Sequence, residues 1–142
     1  MNVEDKVSFF SEDIDFSLNK SHVYQEWIEQ MVQLENKILG EISYVFCTDE
    51  YLHKINLQYL EHDTYTDIIT FDYSDGNIVA GDIFISVDRV KENAKTYECS
   101  FTKELSRVII HGVLHLVGYK DKTIEDSETM RAKEDFYLTL LP

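Results

Sequence analysis

The sequence predicts an α/β domain of the α+β kind: a mixed four-stranded sheet with an antiparallel hairpin at its edge and about five helices packed on it. Three observations carry that reading. β-Branched and aromatic runs alternate with stretches apolar at helical spacing, in the order β-α-β-α-β-β-α-α-α. Two strand-like runs, 67–73 and 78–85, are separated only by Ser74-Asp75-Gly76-Asn77, a hairpin turn. The 142 residues, with one proline and five glycines, leave no room for a linker. They read as one domain, 1–142, that buries roughly two thirds of its surface.

Val7-Ser8-Phe9-Phe10 is the first strand. A helix follows from Asn19 or Ser21, both capping residues, with Val23, Trp27, Met31, Leu34 and Ile38 as its core stripe and Gly40 as its stop. Ile42 to Cys47 is β-branched and aromatic, a second strand. Thr48 and Asp49 open a second helix with Leu52, Ile55 and Tyr59 turned inward, and 62–66 is a loop. In the returning hairpin strand, Gly81 signals a bulge or a close backbone approach. Ser86 caps a third helix, 87–97. Thr123-x-x-Asp126 resembles a capping box and opens the last helix, with Met130, Phe136 and Leu140 as its apolar residues.

The stretch 105–121 organises the rest. Leu105, Val108, Ile109, Val113 and Leu116 recur at helical spacing, and Ile110, Leu114 and Val117 make the other side apolar too. A helix apolar all round is a buried one. His111 and His115 lie four residues apart within it, so they share a face roughly 6 Å apart along the axis. Gly118 can stop the helix, and Asp121 can then fold back towards the histidine face. Two imidazoles and one carboxylate on one side of a metal leave another side open, the layout of a catalytic zinc site. The competing reading is a pair of core histidines satisfied by backbone carbonyls. Burying two imidazoles without partners is costly, and together with Gly118 and Asp121 this favours the metal.

Composition excludes several classes. The acidic N-terminus lacks a signal peptide's basic start and apolar core. The longest apolar stretch is too short to span a bilayer and contains both histidines. Cys47 and Cys99 are too few for a disulfide framework. These features place the protein in the cytoplasm, away from membranes. A net charge of −14 argues against a nonspecific grip on nucleic acid. However, residues 1–88 hold 4 basic and 18 acidic side chains, whereas residues 89–142 hold 9 of each. The whole excess lies away from the histidine helix, so a negative substrate can approach that face.

The spacing H-x-x-x-H-x-x-G-x-x-D from His111 to Asp121 is also that of the metzincin proteases, which end it with a third histidine. Those enzymes place a glutamate directly after the first histidine as general base. Gly112 stands there and cannot move a proton, which disfavours a peptidase. The run His111-Gly112-Val113-Leu114-His115-Leu116-Val117-Gly118-Tyr119 resembles much more closely the YbeY family of zinc-dependent, single-strand-specific endoribonucleases, whose signature is H-G-x-L-H-L-x-G-Y-D-H. Ile55-Asn56 through Tyr59 and then Asp63, Thr66-Asp67-Ile68-Ile69-Thr70-Phe71, and Gly81 to Ser86 resemble that family's other blocks in the same order. The resemblance covers roughly residues 42–136. It implies a zincin-like core and one Zn²⁺ per chain, with other divalent ions tolerated. It also implies maturation of ribosomal RNA, notably at the 16S 3′ end, in ribosome biogenesis and quality control. Single-stranded RNA and the small ribosomal subunit are the implied partners. The alternative is a ribosome-associated binding factor with a structural metal and little nuclease activity.

Two departures bear on the chemistry. Asp121 stands where the family has its third histidine. Two neutral imidazoles and one carboxylate leave about +1 on bound Zn²⁺, where three imidazoles leave +2. The bound water is then less acidified and harder ions are better tolerated. Leu60 stands where the family has an arginine often assigned to substrate handling. Phosphate contacts are therefore expected from Arg107, Lys120 and Lys122, with Arg131 and Lys133 as further candidates. Asp63 and Thr66 border the expected groove, and Tyr59 and Tyr65 are candidate stacking platforms. No general base is identifiable: Glu104 shares the histidine face but lies roughly 10 Å up the helix from His111 and reads as a solvated or salt-bridging first-turn acid.

Overall fold

The computed structural model describes residues 3–61 and 66–142. Four strands, β1 (Val7–Ser11), β2 (Ile38–Cys47), β3 (Ile68–Asp72) and β4 (Ile78–Ser86), form one sheet in the order β1-β2-β4-β3. β1 and β2 are parallel, as are β2 and β4, whereas β3 runs antiparallel to β4 at the edge. The hairpin turns at Gly76, in the left-handed conformation at φ 59°. Five helices of ten residues or more accompany the sheet: α2 (Ser21–Leu34), α3 (Asp49–Leu60), α4 (Val87–Thr96), α5 (Phe101–Val117) and α6 (Ile124–Leu140). A single-turn helix, α1 (Val3–Lys6), precedes β1 and was not predicted.

Several sequence expectations are corrected. Neither Asn19 nor Ser21 caps α2: the N-cap is Lys20, in the left-handed conformation with no side-chain cap bond. The helix ends at Leu34, because the chain extends from Ile38 as β2. Gly40 thus lies inside a strand, where the pairing with β4 shifts register and an added Cβ would stand 2.8 Å from the Val79 carbonyl oxygen. The buried face of α2 is Tyr24, Trp27, Ile28, Met31 and Val32, while Leu34 and Ile38 are exposed. Tyr59 is also exposed, meeting Phe71 edge-on, while Leu52 and the half-buried Ile55 turn inward as predicted and Asn56 joins them. In α6 the stripe is Met130, Glu134 and Tyr137, with Phe136 outward and Leu140 half-buried.

The caps predicted at Thr48, Ser86 and Thr123 form, and Ser100, which was not predicted, caps α5. Thr48, Ser86 and Ser100 each accept a backbone N–H of the first helical turn, and Thr123 with Asp126 closes a capping box. Such caps each contribute about 1 kcal/mol.

α5 is the central helix of the core. Leu105, Val108, Ile109, Ile110, Val113, Leu114 and Leu116 are all buried, against β3, β4, α4 and α6. Two glycines let it approach the sheet. A Cβ on Gly112 would meet Ile83 at 3.0 Å and Ile68 at 3.1 Å, and one on Gly81 would meet the Phe71 carbonyl oxygen at 2.5 Å and Leu116 at 2.8 Å. Gly81 is thus a close approach, while the bulge lies in β2. Gly112 faces the sheet, so the position following the first histidine has no access to a metal face.

Candidate metal centre

The histidine face of α5 is the side turned away from the sheet, towards α6 and the turn that follows Val117. Gly118 ends the helix at φ 122°, a conformation that side-chain-bearing residues rarely adopt. The Gly118 and Tyr119 amides then donate to the Leu114 carbonyl, folding the chain back along the last turn. This brings Asp121 beside the histidines. One ligand atom from each of His111, His115 and Asp121 lies within 4.8 Å of the others. The two Nε2 atoms are 2.9 Å apart, and the Asp121 Oδ2 is 3.5 Å from His111 Nε2 and 3.3 Å from His115 Nε2.

The other face of each ring fixes what these atoms are. His111 Nδ1 lies 2.7 Å from Glu134 Oε2, and His115 Nδ1 lies 3.0 Å from the Tyr119 carbonyl oxygen. Both partners are acceptors, so in each neutral ring the proton sits on Nδ1 and Nε2 carries a lone pair. Two lone pairs and a carboxylate oxygen then converge on one point. That convergence repels itself unless a cation sits within it. The donor set of two nitrogens and one oxygen suits zinc and leaves room for a further ligand. The residues therefore fit the metal their spacing implied.

Behind the first ring runs a chain of ion pairs. Glu134 also accepts from Arg107 Nη1 at 2.9 Å, and Arg107 Nη2 reaches Asp135 at 2.7 Å. Burial opposes ionisation of Glu134, but the hydrogen bonds from His111 and Arg107 outweigh it and hold the carboxyl below its usual range. Burial likewise disfavours a charged His111, yet the Glu134 carboxylate pushes its pKa up. Behind the second ring stands a different cluster. Glu35, at the end of α2, accepts from Tyr119 at 2.6 Å, from Lys133 at 3.1 Å and from Tyr137. Lys133 also lies 5.5 Å over the Tyr119 ring.

The expected phosphate-binding residues divide. Arg107 is half-buried between two carboxylates, and Lys133 is paired with Glu35. Lys120 and Lys122 are exposed on either side of Asp121. Lys122 and Arg131 line an open groove of about 780 Å³ along the start of α6. Thr66 is half-buried, donating to the Ile68 carbonyl, whereas Asp63 and Tyr65 lie outside the described residues. Leu60 is exposed at the end of α3.

Glu104 is not the solvated acid its position suggested. It is 6% exposed and lines a cavity of about 270 Å³ beside His111, with Asp67, Asn93, Tyr97, Arg107 and Arg131. Burial pushes its carboxyl above the usual range, and the nearby Asp67 charge adds to this. Asp67, just ahead of β3, is raised by burial as well.

Sequence reasoning missed Glu134, although a signal was present: a glutamate four residues after Met130 and three before Tyr137, on the inner stripe of α6. A charge on an inner stripe is rarely idle, because burying it alone is costly. Nothing local marked Glu35, whose partners lie 84 to 102 residues away.

The family described as Endoribonuclease YbeY matches residues 6–141. An "Endoribonuclease YbeY" of Christiangramia forsetii is 55% identical over 135 residues, covering 95% of this chain and 94% of that one. One of Flavobacterium johnsoniae is 54% identical over 126 residues, covering 89% and 91%. The solution structure of TM1509 from Thermotoga maritima superposes with a TM-score of 0.64 at 27% identity, covering 93% of this chain and 86% of that one.

Proposed function

The chain belongs to the YbeY family of endoribonucleases, and from that premise we propose a zinc-dependent enzyme that cleaves single-stranded RNA within the strand. His111, His115 and Asp121 are its metal ligands. The observation that carries this reading is the meeting of two imidazole lone pairs with the Asp121 carboxylate, each ring held from behind by its own acceptor.

A zinc ion held by His111, His115 and Asp121 would supply Lewis-acid chemistry to a phosphoryl oxygen and a water of lowered pKa. Glu134 keeps the His111 proton on Nδ1 and so aims its Nε2 at the site, and the Tyr119 carbonyl does the same for His115. Oriented ligands of this kind are a large part of a site's affinity. Lys120, Lys122 and Arg131 lie beside the site and along the groove at the start of α6, where they can meet the phosphates of a strand entering from that side. Arg107 is committed to Glu134 and Asp135, so it acts on His111 through Glu134. Leu60 contributes no charge, which leaves the lysines and Arg131 to replace the family arginine.

The substrate follows from the family: ribosomal RNA, with the 3′ end of the 16S molecule as target, on the small ribosomal subunit in the cytoplasm. Among the described residues no helix is long and apolar enough to cross a membrane.

The test is cleavage of a 16S 3′-end RNA by zinc-loaded protein beside a His115→Ala variant. Zinc-dependent cleavage by the wild type and none by the variant is expected. Equal cleavage by both would remove the site from the reaction. Cleavage by neither, with ribosome binding retained, would make the protein a binding factor.

A further inference from the structure

The cavity beside His111 contains a group the cleavage chemistry does not use. Glu104 is 6% exposed as a residue, and its carboxylate, which accepts no hydrogen bond among the described residues, is not sealed in but opens on the cavity. Its acceptor oxygens, balanced only by the nearby charges of Arg107 and Arg131, are therefore open to a hydrogen-bond donor that enters the cavity. Asp67, across the same cavity, is already engaged: Asn93 donates to it at 3.4 Å.

Distance decides what that partner is. Glu104 precedes His111 by seven residues, about 10 Å along the axis, and helical side chains lean further towards the N-terminus. A general base must come within about 3 Å of the proton it takes. Glu104 is too far from the histidines for that, but it stands about one nucleotide step away. The cavity, about 270 Å³, has room for one planar ring system and is smaller than the roughly 300–1,000 Å³ of sites for drug-sized ligands. At its rim, Tyr97 is 60% exposed, an aromatic face next to a polar pocket.

We propose that this cavity is a nucleobase subsite, in which Glu104 accepts a hydrogen bond from the exocyclic amino group of an unpaired base and Tyr97 covers the base's face. The inference rests on the RNA-cleaving reading for its ligand. A carboxylate only accepts, so it pairs with the amino group of cytosine and is repelled by the O4 acceptor of uracil. The enzyme then favours an amino-bearing base at one position fixed relative to the scissile bond. Arg131, exposed on the cavity's edge, is placed to meet the adjoining phosphate.

The test avoids catalysis. Binding of the single-stranded tetranucleotides CCCC and UUUU to metal-free protein at pH 8 compares two pyrimidines of equal size. Tighter binding of CCCC, by about tenfold, is expected for one amino–carboxylate pair. Glu104→Gln adds a donor that uracil can use, so the preference should narrow to about twofold or less. Tyr97→Ala, on an exposed side chain, should weaken both ligands by about tenfold through lost stacking. If Glu104→Gln does not fold, the wild-type preference and Tyr97→Ala still decide. Equal wild-type affinities, a preference that survives Glu104→Gln, or no effect of Tyr97→Ala would each overturn the subsite. Failure of zinc-dependent cleavage with the cytosine preference intact would instead count against the nuclease reading alone.

Discussion

His111 and His115 offer the same atom to the same point, yet they are held in opposite ways. His111 is oriented by a side chain, Glu134, which is itself fixed by Arg107. His115 is oriented by main chain, the Tyr119 carbonyl, which the turn after Gly118 sets in place. The Glu35 cluster behind Tyr119 fastens the turn to α2 and α6 without touching the ring. The first arrangement is open to mutation at one atom, whereas the second is built into the backbone. Orientation at His111 is thus a function of sequence, and orientation at His115 a function of fold.

The contrast can be broken at its weak end. Glu134→Gln keeps the shape but can turn an amide N–H towards His111 Nδ1, and it removes the charge that pairs with Arg107. Zinc affinity should fall by about 10- to 100-fold, the range for lost outer partners of a ligating histidine. An isothermal titration showing unchanged affinity would mean that the ring needs no acceptor. Arg107→Lys acts one step further back. A lysine cannot bridge Glu134 and Asp135 in the plane that a guanidinium does, so a loss of about threefold to tenfold is expected in the same titration. At the strong end, Glu35→Gln should leave zinc affinity within about threefold while lowering stability by about 1–2 kcal/mol, because it disturbs a half-buried acceptor with three donors. Urea unfolding measures that loss. A large fall in zinc affinity for Glu35→Gln would show that His115 depends on side chains after all.

That His111, His115 and Asp121 come together was legible because helical spacing and a terminating glycine are local signals. His111, His115, Gly118 and Asp121 all fall within about two turns of helix and the bend after it. The succession of elements and the antiparallel edge hairpin were legible from the β-branched runs and the turn between them. The errors came where tertiary context overrode propensity. A glycine read as a helix stop proved to be a strand bulge at Gly40, and an apolar residue at the right spacing, Phe136, faced outward while Tyr137 took the core. The supporting residues were illegible for a further reason. Glu35 and Lys133 are ordinary surface residues by type, and only packing across 98 residues of chain makes them a pair. Glu104 was misjudged because exposure in a first helical turn was assumed, whereas α4 and the start of β3 cover it.

The central claim is that His111, His115 and Asp121 grip one divalent cation. A crystal structure of the zinc-loaded protein, with anomalous data collected at the zinc edge, tests it most directly. The account predicts one anomalous peak per chain, bonded to Nε2 of both imidazoles and to an Asp121 oxygen. A peak elsewhere, or an Asp121 turned to solvent beside an empty histidine pair, would contradict it.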